Sequence, residues 1–111
     1  MDQDLTLLFL TLLFTFVQQD PEEREMRRIS LELHGEPMDL FLAQAIGEAI
    51  ARRENEDPSL LSWCDNIRHV HSPQCLHCEI KGEPGWEVFG RNHGGRLRIS
   101  FNQEALVLIY S

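Results

Sequence analysis

Residues 96–110 read R-L-R-I-S-F-N-Q-E-A-L-V-L-I-Y, and the fold class turns on them. Arg96-Leu97-Arg98-Ile99-Ser100-Phe101 alternates with the period of two that a partly exposed strand requires. Ala105 to Tyr110 is a continuous apolar run of the length suited to a buried strand. Just upstream, Trp86-Glu87-Val88-Phe89 reads as another strand and Asn92-His93-Gly94-Gly95 as the turn between them. Residues 86–111 are therefore expected to be a β part, an antiparallel hairpin plus one further strand.

The preceding half carries helix signals. Met38 to Asn55 has an apolar face of Leu40, Leu42, Ala43, Ile46, Ala49 and Ile50, with Arg52 and Arg53 near its negative end. Gly47 in its interior either weakens the helix or permits close packing. Asp20-Pro21-Glu22-Glu23 is a helix opening, a capping aspartate followed by proline and acids. It predicts a helix from 21 to about 27, whereas residues 28–34 fit helix and strand equally. Asp57-Pro58-Ser59 repeats the opening for a short helix through Leu60, Leu61 and Trp63. Helices first and strands last indicate α+β, with a helical part over 21–68 and a helical N-terminal half.

At 111 residues the chain is expected to be a single small domain, and 42% apolar residues mark it as one that folds. Ten basic against eighteen acidic residues give a formal charge of −8, which argues against a non-specific nucleic-acid binder. The basic concentration at Arg91, Arg96 and Arg98, with Trp86 and Phe89 nearby, is the place where nucleic acid would make contact by phosphate pairing and stacking.

All three cysteines and three of the five histidines fall in W-C-D-N-I-R-H-V-H-S-P-Q-C-L-H-C, residues 63–78. Thiolate and imidazole are zinc ligands, and four of them must converge within about 2.0–2.3 Å of one ion. The C-x2-C spacing of Cys75 and Cys78 lets one tight turn supply two thiolates. Two ligand sets are plausible. If a helix continues past Arg68, Cys64 and His71 share a face and complete a Cys3His site. If the chain is extended after Asn66, His69 and His71 point to one side and His69 is the alternative ligand. The first set uses every cysteine and is preferred. Residues 64–78 are thus expected to be a central knuckle around structural zinc, and a closed four-ligand site leaves no position for an activated water.

Catalytic patterns match less well. The zinc deaminase signature needs glutamate where His71 stands and no residue between Pro73 and Cys75. The segment after Cys78 lacks the helix of a thioredoxin-type site.

The N-terminal segment 1–20 contains an apolar run, Leu5 to Val17, too short to cross a bilayer. Asp2 and Asp4 stand where a secretion signal carries positive charge. An odd cysteine count argues against a disulfide framework, so cytoplasm or nucleus is expected. Leu8, Leu12 and Phe16 share one helical face and Phe9 and Leu13 the next. A helix apolar all round needs a second covering surface, either another protein or a second copy in a homodimer. The sequence therefore predicts a zinc-stabilised protein-interaction module, adaptor or regulatory, without catalytic activity.

Overall fold

The computed structural model describes residues 26–74 and 79–111. Leu5–Val17, and Cys75 and Cys78, lie outside the described residues.

Five strands form one mixed sheet in the order β1-β6-β7-β2-β3. These are β1 (Arg27–Leu31), β2 (Leu60–Asp65), β3 (Val70–Ser72), β6 (Leu97–Phe101) and β7 (Leu106–Tyr110). Strand β1 runs parallel to β6, and the other three pairings are antiparallel. A two-stranded ribbon, β4 (Glu79–Ile80) and β5 (Glu83–Pro84), leads into helix α2 (Gly85–Asn92), while helix α1 (Leu40–Ala51) covers the other face.

Strand β7 is central, and all five of its residues are buried. A strand with both faces covered can be apolar at every position, so the run Leu106–Tyr110 loses its alternation. Leu106, Leu108 and Tyr110 join Leu97, Ile99 and Phe101 under α1, whereas Val107 and Ile109 pack with Met26, Cys64 and Trp86 on the α2 side. Helix α1 is capped by Asp39, whose carboxylate accepts from the Leu42 amide at 2.8 Å. Its buried stripe is Ala43, Gly47 and Ala51, small residues that bring the backbone close to β7. A Cβ at Gly47 would stand 2.8 Å from Leu108 Cδ1, so close packing is what this glycine permits.

The expected helical N-terminal half is corrected. Among the described residues, its chain holds strands β1 and β2 with one twelve-residue helix between them. The segment after Asp57-Pro58-Ser59 is β2, drawn into the sheet by pairing with β7. Of residues 28–34, Arg28 to Leu31 are strand, because β6 offers a parallel partner, and 32–34 are neither helix nor strand. Trp86–Phe89 is the opposite case, a helix and not a strand, and the C-terminal hairpin is β6–β7. The central knuckle is corrected too, as an element of the fold. Residues 64 and 65 end β2 and residues 70–72 form β3, and no group of three or more metal-binding side chains occurs among the described residues. No helix among them is long and apolar enough to cross a membrane.

Candidate functional site

Alternation along β6 places Leu97, Ile99 and Phe101 toward α1, and therefore Arg98 and Ser100 toward α2. Only 7% of the Arg98 side chain is exposed, and two glutamates meet it. Glu87, on the first turn of α2, accepts from Nε at 2.8 Å and from Nη2 at 3.4 Å. Glu104 accepts from Nη1 and from Nη2, each at 2.8 Å. The planar guanidinium suits this double fork, which a lysine would not fill. Arg28, the neighbour of Arg98 across the β1–β6 register, stands 3.8 Å from Glu87. Hydrogen bonds to Glu104, and then to Glu87, hold the Arg98 pKa above its usual range against the effect of burial. The same bonds hold the Glu104 carboxyl below its usual range, again with burial opposing.

The turn between β6 and β7 is shaped to bring Glu104 back. Asn102, Gln103 and Glu104 have φ of 50°, 58° and 71°, three successive left-handed residues. The Asn102 side chain ties this turn to the end of β1, accepting from the Leu33 amide at 2.7 Å and donating to its carbonyl at 3.2 Å. Ser100 Oγ accepts from the Glu104 amide at 3.1 Å. Asn66 donates to the Glu104 carbonyl at 2.7 Å and accepts from the Cys64 thiol at 3.2 Å. A continuous polar chain therefore runs Cys64–Asn66–Glu104–Arg98–Glu87 over the α2 side of the sheet.

Cys64 also stands directly opposite His71 in the β2–β3 register, so their side chains project from the same face. His71 Nδ1 donates to the Pro73 carbonyl at 3.1 Å, so Nε2 is the ring nitrogen not engaged in that bond. Burial, then the charges of Asp65, Glu104 and Glu87, push the Cys64 thiol pKa up, with Arg98 opposing. A thiol so placed is protonated at neutral pH and is a poor nucleophile by itself. Strand pairing, not a continued helix, brings Cys64 and His71 together. His69 sits apart from them in the β2–β3 turn, exposed and left-handed with φ 61°.

The three arginines of the expected basic tip are dispersed. Arg98 is enclosed as described. Arg91, on α2, donates to both oxygens of Glu83 at 2.7 and 3.2 Å, and Arg96 is exposed beside the start of β6. Trp86 is buried, and Phe89 stacks on His93 with ring centroids 3.8 Å apart. Glu87, Glu104 and Asn66 are the site residues that sequence reasoning misses. The available signal is Arg98 itself, a cation on a strand whose neighbour is buried on both faces and which therefore requires acidic partners.

The family described as a domain of unknown function, DUF5619, matches residues 26–110, and the chain belongs to it. No curated protein matches. Among solved structures, the crystal structure of AF1514 from Archeoglobus fulgidus is similar at 30% identity and a TM-score of 0.65. The similarity covers 78% of this chain and 94% of that one. The family match begins at Met26, so Leu5–Val17 precedes the family domain.

Proposed function

We propose that the protein is a non-catalytic protein-interaction module, adaptor or regulatory, working in a reducing compartment with the end of its sheet stapled by one structural zinc. The ligands in this reading are Cys64, His71, Cys75 and Cys78. The observation that carries it is the register setting Cys64 opposite His71. Residues directly opposite in an antiparallel pair have Cβ atoms about 4.5–5.5 Å apart. That span suits a thiolate and an imidazole sharing one ion at about 2.3 and 2.0 Å. The bond from Nδ1 to Pro73 supports it, because a ligating imidazole is oriented by what its other nitrogen donates to. Cys75 and Cys78 follow His71 by four and seven residues and supply the remaining thiolates.

Binding is favoured over catalysis because the strongest polar groups are spent on one another: Arg98 on Glu87 and Glu104, Arg91 on Glu83, Arg68 on Asp65. Apolar side chains, by contrast, are left in solvent. Phe41 on α1 is 84% exposed, Ile67 51% and Val70 45%. Arg68 donates to the Met38 carbonyl at 3.3 Å, joining the turn that carries Ile67 to the start of the helix that carries Phe41. With Leu8, Phe9, Leu12, Leu13 and Phe16, these exposed side chains are the partner-binding residues of this reading. A net charge of −8 and the internal pairing of Arg91 and Arg98 weigh against nucleic acid as the partner.

Elemental analysis of the full chain tests the metal, with one zinc per chain expected. Cys64→Ser and His71→Ala should each reduce the metal content, and a chelator should lower the melting temperature. Absence of stoichiometric metal together with an unchanged melt overturns the staple. A photo-crosslinker placed at Phe41 or Ile67 in cells should trap a discrete protein that the same group at Gln103 does not, and identical trapping at all three positions overturns the interaction reading.

A further inference from the structure

We infer that β1 is a homodimer edge, pairing antiparallel with the β1 of a second copy about a two-fold axis at Ser30. In the parallel β1–β6 pair, the Arg27 amide donates to Arg96 and the Leu31 carbonyl accepts from Asn102. The odd-numbered residues of β1 thus direct their backbone groups inward to β6. Arg28 and Ser30, and Glu32 just beyond, direct theirs outward, where no strand lies among the described residues. All three residues are exposed. An edge left open by the described residues is a ready template for another strand.

The sequence of that edge is complementary to itself. With Ser30 opposite Ser30 of the second copy, Arg28 falls opposite the other Glu32, and each such pair exchanges two backbone hydrogen bonds. On the opposite side of the ribbon, Ile29 meets Leu31 of the other copy. Both are only partly buried against the α1-side core, so pairing extends that core across the axis. Sliding by one residue per strand leaves Arg28 or Glu32 opposite Ser30, and sliding by two sets Arg28 against Arg28 or Glu32 against Glu32. Opposite charges facing each other are stabilising and like charges destabilising, so charge favours the register centred on Ser30. The result is one ten-stranded sheet with an isologous interface. It requires neither the metal nor an outside partner.

Sedimentation of the full chain should report the mass of two chains, falling to one on dilution. Ser30→Pro removes an outward N–H that bonds nothing among the described residues, and an edge strand tolerates proline there. This variant should be monomeric while keeping the metal content, and its melt should match that of the wild type at dilutions where the wild type is monomeric. Ser30→Cys should form an interchain disulfide under mild oxidation, since its Cα lies about 5.5 Å from its mate, within disulfide range. Glu32→Cys, opposite Arg28, should not. A wild-type chain monomeric at every concentration, a Ser30→Pro dimer, or equal crosslinking at 30 and 32 overturns the assignment.

Discussion

Glu104 grips Arg98 through two hydrogen bonds of 2.8 Å while ending a run of three left-handed residues. Backbone in such sparsely populated conformations persists only where its surroundings over-determine it. Here Asn102 is fixed to Leu33, the Glu104 amide to Ser100 and its carbonyl to Asn66. The turn is held by β6 and by the segments just past the ends of β1 and β2, and its product is a second carboxylate on a buried guanidinium.

Removing the guanidinium should therefore hurt more than removing either bond to it. Arg98→Ala leaves the Glu87 side chain, only 11% exposed, without its main partner and should destabilise by about 3–5 kcal/mol. Glu104 is half exposed, so Glu104→Gln should cost only about 1 kcal/mol. Urea unfolding at neutral pH compares the two, and equal losses would contradict the ranking.

Gln103 tests the turn itself, because it is exposed and is the middle of the three left-handed residues. Gln103→Val should destabilise by about 1–2 kcal/mol, since a β-branched residue tolerates positive φ poorly. Gln103→Gly should be neutral or slightly stabilising. Thermal melts of the two variants should move apart.

Acid should weaken the fold in a defined window. Burial disfavours the Asp65 charge, but the Arg68 amide and guanidinium and the Ile67 amide outweigh it and lower its pKa. Glu104 is lowered by Arg98. Groups with depressed pKa values stabilise fully above their unfolded values, here 3.8 and 4.5, and lose that contribution as pH falls toward their folded ones. Denaturant midpoints should stay level from neutral pH to about 5 and fall below it. The double variant Asp65→Asn, Glu104→Gln should show a shallower fall; an unchanged slope would assign the acid sensitivity elsewhere.

Gly90 is where α2 lies against the sheet. An added Cβ would come within 2.5 Å of Ser62 Oγ and 2.9 Å of Ile109 Cγ2, so Gly90→Ala should cost about 1–3 kcal/mol. Ser62 is 1% exposed, and its hydroxyl has no hydrogen-bond partner among the described residues. Ser62→Ala should then be neutral or stabilising, and combined with Gly90→Ala it should recover part of the loss. Strict additivity of the two would show that the contact is not where the strain falls.

Legibility along the chain followed how far each element decides its own structure. Helix α1 carries enough turns to express its period, and β7 states its burial in a continuous apolar run. The alternation of β6 suggests a partly exposed strand, yet all five of its residues are buried, because Arg98 and Ser100 are covered on the α2 side. Strand β2 follows a sound helix-capping sequence, yet its few apolar residues set no period, and pairing with β7 decided the outcome. Trp86–Phe89 imitates a strand over four residues, whereas the glycine that lets α2 approach Ile109 lies just after them. Cys64 and His71 carry metal-binding side-chain types, but their juxtaposition comes from strand register, which the sequence does not state. Glu87 and Glu104 carry no local mark among eighteen acids.

The middle strand of the sheet is also the last of its five along the chain. Strands β1 and β6 can pair without it, as can β2 and β3, but nothing else among the described residues joins the two pairs. The apolar side chains of both pairs therefore stay half-covered until Leu106–Tyr110 is inserted between them. Assembly is thus dominated by contacts distant in sequence. A chain truncated before Leu106 should be open to proteases in both pairs, and restoring Leu106–Tyr110 should close them in one step.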